Sequence, residues 1–336
     1  MNTDQNDPCP CGSGLNYKNC CADKEHTGVD QDVMSSVMDE LKELLQNKCF
    51  GSLNEANDFL RQHSQQRNST PVDHFHGLSP DQMHRFIYYA FDSPHLATLP
   101  LRLDNNPQAP ILKLFNLLVD GIGEKGLTAT ATGNLPRNFC RQSAKAYVGE
   151  EEYQRWSRYG ELRSEPEFSE MNITRLVAGL AGLIRKYKGK FILSKECRKL
   201  LAEQGQSGIY PLLFRAFVRK YNWAYGDRMS EIPFLQHSFL FTLFVLSKYG
   251  REWHNTTFYE EIFLHAFPSL LGQIEPISDY FPVEKLVLST YTGRCLDRFA
   301  HFFGLVEFES IGNDSSSKEL RVRKLPLLDQ VVQFHL

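Results

Sequence analysis

Four cysteines stand within thirteen residues near the start of the chain, in the run Cys9-Pro10-Cys11-Gly12-Ser13-Gly14-Leu15-Asn16-Tyr17-Lys18-Asn19-Cys20-Cys21. No other feature restricts the local fold as strongly. Four thiolates at C-x-C-x₈-C-C spacing make a tetrahedral shell suited to Zn²⁺, and a closed shell leaves no position for a substrate. Gly12 and Gly14 let the backbone wrap tightly. A segment this short buries too little apolar surface to fold unaided, so metal binding is expected to supply its folding free energy. The expected ligands are Cys9, Cys11, Cys20 and Cys21, and the expected cofactor is Zn²⁺.

The run resembles the SEC-C motif, a small zinc module named after the C-terminal tail of the bacterial preprotein-translocation ATPase and found at either end of many bacterial proteins. The resemblance is carried by the Cys-Pro-Cys-Gly-Ser-Gly core, by Tyr17 and by the terminal Cys pair. Leu15 stands where the family usually has Lys, and only Lys18 remains of the basic residues common around Tyr17. The resemblance implies zinc and docking towards a protein or nucleic-acid partner. Two further phrases, His76–Arg85 and Ala131–Arg137, are similar to stretches of uncharacterised bacterial proteins and imply no activity.

The remaining cysteines, Cys49, Cys140, Cys197 and Cys295, are scattered singly. The N-terminus has no basic region followed by an apolar run, so a cytoplasmic chain with reduced, buried cysteines is expected. The most apolar stretch, Ile232–Leu246, is shorter than a bilayer crossing and reads as one buried helix.

The net charge of −3 hides a strong asymmetry. Residues 1–70 carry 6 Lys and Arg against 11 Asp and Glu, whereas residues 171–228 carry 12 against 3. Any nucleic-acid surface must therefore be local.

Helical periodicity dominates the rest. Val33, Val37, Leu41, Leu44 and Leu45 predict a helix over Asp32–Gln46. Ser52 or Asn54 caps another through Leu60 and His63, followed by a polar linker over 64–73. Ser79-Pro80-Asp81 starts a helix expected to end near Phe91. Beyond Pro110 comes a helix over Ile111–Gly121, a Gly turn with a short extended piece at 124–128, and a helix over Leu135–Ala146 with Asn134 as its cap. The same order recurs as a helix over Asn172–Tyr187, a turn and extended piece to Leu193, and a helix over Ser194–Gln204. Two related helix–turn–helix units follow from this recurrence. Near the C-terminus, helices over Val283–Leu288 and Leu296–Phe303 precede alternating strands on either side of a Gly-Asn-Asp turn, the order of a winged helix.

The expected fold is mainly α with small β-hairpins: an N-terminal zinc knuckle followed by tandem winged-helix-like helical units. The division is a knuckle over 1–27, a helical linker region over 28–108, units over 109–165 and 166–230, and a C-terminal unit over 231–336.

Candidate nucleic-acid contacts are Arg137 and Arg141 at the start of a second helix, where a helix–turn–helix faces a groove. Lys186, Lys188, Lys190, Lys195 and Arg198 lie in the basic stretch, interleaved with Tyr187 and Phe191, and Arg321 and Arg323 lie on the C-terminal wing. A well-capped helix and a solvated charged face account for the same residues without a ligand. His63, His74, His76, His84 and His95 are concentrated in one stretch, and His74-x-His76 offers two ligands on one strand face, but no carboxylate cluster accompanies them. The leading expectation is a non-catalytic, zinc-containing nucleic-acid-binding protein. The alternatives are a protein-interaction adaptor docking through the knuckle and, behind both, a metal-dependent enzyme.

Overall fold

The computed structural model describes residues 42, 48, 50–104, 106–227, 229–276, 281–312 and 319–336. The cysteine run, Cys49 and, apart from Lys42, the helix expected over Asp32–Gln46 lie outside them. The chain divides into two compact units: residues up to Asn68 with Phe267–Glu284, and Ser69–Ala266 with Lys285–Leu336. The fold is mainly helical, with small antiparallel sheets.

In the first unit, Ser52 Oγ accepts from the Glu55 amide at 3.2 Å, as expected of a cap. The helix it opens, α1 (Leu53–Ser69), runs through the first six of the ten residues of the expected polar linker. Gln65, Gln66 and Arg67 are good helix formers, and the nearest breaker is Pro71, which disfavours helical backbone at Thr70.

The second unit holds the other elements used below, apart from the first two residues of the helix at Val283–Tyr291. Helix α2 (Pro80–Tyr88) starts on a capping box between Ser79 and Gln82, with Pro80 in the first turn. It ends three residues before Phe91, because Tyr89 leaves helical geometry and its carbonyl takes the Asp92 amide in a turn. A two-residue strand, β1 (Ala97–Thr98), follows.

Helix α3 (Pro110–Ile122) buries Ile111, Leu114, Phe115, Leu118 and Ile122, the stripe expected of a 3.6-residue period. After β2 (Leu127–Thr128) come α4 (Arg137–Val148), α5 (Glu150–Trp156) and α6 (Ser169–Leu180), then β3 (Ile184–Tyr187), β4 (Lys190–Leu193) and α7 (Lys195–Glu203). Two expectations fail here. Pro136, not Asn134, occupies the cap position of α4, since Asn134 is drawn into a turn with Thr130. The helix expected over Asn172–Tyr187 stops at Leu180; Gly182 at φ +73 reverses the chain, and the rest becomes β3.

Strands β2, β4 and β3 form one antiparallel sheet in that order, with Leu127 opposite Phe191 and Lys186 also opposite Phe191 on the other side. The expected boundary at 165/166 falls inside this arrangement: the strand before it and the hairpin after it share a sheet, and α3 packs on α6.

Helix α8 (Gln206–Arg219) carries the aromatic centre of the unit. Phe217 stacks on Phe299 with centroids 5.9 Å apart, Trp223 lies 4.9 Å from Phe299, and the buried Tyr210 hydroxyl donates to the Phe303 carbonyl at 2.7 Å. Burying each such ring contributes about 1.5–3 kcal/mol. The apolar stretch expected as one helix is two, α9 (Pro233–His237) and α10 (Phe239–Tyr249), broken at Ser238, whose hydroxyl donates to Leu235 O.

The C-terminal part repeats the earlier order. After α10 come β5 (His254–Asn255), α11 (Thr256–Ala266), α12 (Val283–Tyr291), β6 (Val306–Ile311) and β7 (Glu319–Lys324), with sheet order β5–β7–β6. The two helices expected between 283 and 303 are continuous: α12 runs into a π-helical segment, Thr292–His301. The expected hairpin is present, although residues 313–318 of its turn lie outside the described residues. A short helix, α13 (Leu327–Val331), and β8 (Gln333–Phe334) end the chain, and β8 pairs with β1.

Candidate nucleic-acid interface

The β3–β4 hairpin turns in two residues, Lys188 at φ +47 and Gly189 at φ +75. Positive φ at both central positions gives a tight turn whose twist matches the strands it joins. Register places Ile184 and Lys186 on one face with Leu193 and Phe191. Of these, Ile184, Phe191 and Leu193 are buried and Lys186 is exposed. Arg185, Tyr187 and Lys188 are also exposed, and both cations lie over the Tyr187 ring, at 5.6 and 5.4 Å. Lys190 donates to the Lys125 carbonyl. Lys195 and Arg198 follow on exposed positions of α7, whose cap is Ser194. None of Lys186, Lys188, Lys190, Lys195 and Arg198 pairs with a described carboxylate.

The other expected contacts differ. Arg137 is exposed at the start of α4, but Arg141 is held by Glu161 at 2.6 Å and by the Leu162 carbonyl at 2.8 Å. Arg321 donates to the Trp253 carbonyl, and Arg323 pairs with Glu307 at 2.6 Å while lying 4.7 Å over the Trp253 ring. The 186–198 cations thus lie without a described ion pair along the β3–β4 hairpin and α7, while Arg321 and Arg323 are engaged beside their own sheet.

Behind the hairpin, Glu165 is completely buried and ties three segments together. Its carboxylate accepts from the Leu135 amide, from Asn172 Nδ2 at 2.9 Å and from Arg175 Nε. Helix α6 is covered along most of its length: Met171, Asn172, Ile173, Thr174, Val177 and Ala178 are all buried.

A second buried cluster fixes the loop after α8. Arg294, 2 % exposed, holds Asp227 through two bonds of 2.7 and 3.0 Å and also donates to the Ser230 carbonyl. Arg298 adds a bond to Asp227 at 2.8 Å and another to the Tyr225 carbonyl at 2.9 Å. Burial alone would raise the Asp227 carboxyl, but the Arg294 bond, the Met229 amide and the charges of both arginines outweigh it and hold the group below its ordinary range. Sequence reasoning missed both clusters. Glu165 sits in the polar stretch Ser164–Glu167 and nothing local marks it as buried, while Arg294 lies about seventy residues from its partner.

The histidine stretch does not form a strand. His74 lies in a 3₁₀ turn (Asp73–Phe75), and His76 is left-handed at φ +56. His76 Nδ1 lies 2.9 Å from the Tyr249 hydroxyl; burial and the charges of Lys248 and His265 push its pKa down. Among the described residues no three His, Cys, Asp or Glu side chains are placed to hold a metal. Burial raises the Cys140 and Cys197 thiols to about 12 and about 11, as inert core cysteines require. Cys9, Cys11, Cys20 and Cys21 lie outside the described residues.

The described chain is therefore a mainly helical body in which a helix–strand–helix–hairpin order recurs, with no described helix long and apolar enough to cross a membrane. Residues 6–23 match the SEC-C motif, and residues 107–206 match the Y4jL N-terminal domain. The second match spans α3 to α7, including the whole β2–β4–β3 sheet. Comparison with curated proteins and with solved structures gives no match.

Proposed function

We propose that this is a zinc-containing protein that binds nucleic acid without catalysis, using winged-helix-like units of which the β3–β4 hairpin is the working wing. One observation carries the reading: five cations on one hairpin and the helix after it, Lys186, Lys188, Lys190, Lys195 and Arg198, have no described carboxylate partner. Cations that are spent on no described ion pair keep their charge available for phosphates. The order helix, strand, helices, hairpin, with the first strand pairing the last, recurs at 110–193 and 239–324 and supports the winged-helix-like reading. In that order α6 takes the place of the groove-reading helix, and six of its twelve residues are buried. Backbone contact through the wing is then the mode the surface suits, with little direct reading of base edges.

Binding of the full chain to mixed-sequence oligonucleotides, followed across a salt series, tests this. Affinity is expected to fall steeply with added salt, and the variant Lys186→Glu/Lys188→Glu/Lys190→Glu to abolish it. An unchanged affinity in that variant overturns the reading and leaves the adaptor.

The donor set Cys9, Cys11, Cys20 and Cys21 fits Zn²⁺ by its chemistry, four thiolates with no open position. When bound, the ion supplies folding free energy to its segment and no chemistry to a substrate. Cys20→Ser is expected to abolish zinc in the purified protein, read by elemental analysis, while the melting of the helical body is unchanged. A global loss of thermal stability in that variant would show the knuckle to be built into the core.

A further inference from the structure

Beside the hairpin lies a cleft of about 470 Å³, a size that holds a nucleotide, and its lining is unusual in this molecule. Its floor is apolar, from Leu176, Ile184 and Phe191, and its walls carry Arg175, Arg185 and Lys186 with no carboxylate. Two other clefts among the described residues each include two carboxylates, Asp92 with Glu231 and Glu261 with Glu319. Arg175 commits only its Nε to Glu165, with the guanidinium 5.5 Å from the Phe191 ring. Lys186 Nζ has no bonding partner among the described residues and stands beside Gly133 at the rim. Across the cleft Tyr225 keeps its ring 52 % exposed.

That ring is held in place. Tyr225 sits in the loop clamped by Asp227, Arg294 and Arg298, with its own carbonyl bonded to Arg298 and its ring edge-on to Tyr221 at 6.3 Å. Burying Arg294, and half-burying Asp227 and Arg298 around it, is costly unless geometry is fixed by it. Here the return is a rigid aromatic face beside three cations. An apolar floor offers nothing to a phosphate, which would lose its water there without gaining partners. A nucleobase has the apolar faces that such a floor and a tyrosine ring accept, and its phosphate suits the cationic rim.

Resting on the nucleic-acid reading above, we infer that this cleft takes one unpaired nucleotide, its base against the floor and Tyr225 and its phosphate on Arg185 and Lys186. The nucleic acid bound is then single-stranded where it meets the hairpin. A base inside a duplex is stacked and paired and presents no free face to the cleft.

The full chain is titrated with a single-stranded oligonucleotide and with the same sequence as a duplex, for wild type, Tyr225→Ala and Tyr225→Phe. The single strand is expected to bind at least tenfold more tightly than the duplex. Tyr225→Ala is expected to lose about 5- to 150-fold in single-strand affinity, the range for one base–aromatic stack. Tyr225→Phe keeps it, and 2-aminopurine in the strand is quenched by wild type and by Tyr225→Phe but not by Tyr225→Ala. Thermal melting of Tyr225→Ala at the wild-type temperature confirms that the loop still folds; should it melt early, Tyr225→Phe and the quenching decide. Equal affinity for strand and duplex, with Tyr225→Ala unchanged, overturns the cleft and spares the hairpin reading. Absence of binding to either nucleic acid overturns both.

Discussion

In the hairpin at 184–193 the basic side chains stand in solvent, whereas in the hairpin at 306–324 each arginine is already engaged. Both close a sheet in which the first strand pairs with the last, and both follow helices in the same order. Yet Arg323 sits between Glu307 and the Trp253 ring, Arg321 is bonded to a carbonyl and Lys324 to Asp329 at 2.8 Å, while Lys186 and Lys188 pair with no described carboxylate. The second hairpin also carries Glu307, Glu309 and Glu319, whereas β3 and β4 contain no acid. Counting positive residues along the sequence cannot separate these cases, because what matters is whether the partner charge lies on the next strand. The same backbone plan has been given one neutralised hairpin and one with charge to spare.

That contrast can be broken experimentally. The largest effect belongs to the support behind the free hairpin: Glu165→Ala strands Arg175 and two amide donors in the interior and is expected to cost about 3–5 kcal/mol in urea unfolding. A cost near zero would mean that the first arrangement does not depend on its buried carboxylate. Next comes Asp227→Asn, read by Trp223 fluorescence against pH. The native Asp227 pKa is depressed, so its contribution is present above the ordinary carboxylate pKa near 3.9 and lost as pH falls through the native value. Wild type and variant are expected to differ at neutral pH and to converge in acid; a constant difference would assign the loop's rigidity to packing. The smallest effect lies on the second hairpin. Glu307→Ala removes a half-exposed pair and is expected to change stability by at most about 1 kcal/mol. Arg321→Ala/Arg323→Ala is expected to leave nucleic-acid affinity within twofold of wild type. A loss as large as that of the Lys186 variants would make both hairpins binding surfaces and erase the distinction.

Legibility in the sequence followed the range of the forces involved. The cap at Ser79, the stripe of α3, the Lys188-Gly189 turn and the C-terminal strands are set by neighbours within a few residues, and each was readable. Helix ends at Tyr88 and Leu180 were misplaced because turn and strand competed for residues of ambiguous propensity. At 184–187, pairing with β4 decided in favour of a strand. The pairing of β2 with β4, the burial of Glu165 and the reach of Arg294 to Asp227 depend on segments brought together by the fold, and no local pattern announces them. For the candidate site this meant that Lys186, Lys188 and Lys190 were legible as a basic run, while Arg175 and Tyr225 were not.

The pairing of β2 with β4 also sets a timetable. Strand β2 ends at Thr128, and its partner is complete only at Leu193. At about 5–20 residues per second, a ribosome extends the chain for several seconds between the two. During that interval α3, α4 and α5 can form, but the edge of β2 waits unpaired and the Leu135 amide waits for Glu165. A nascent chain released or stalled between these points would expose an open strand and the apolar face of α3, a form suited to chaperone capture.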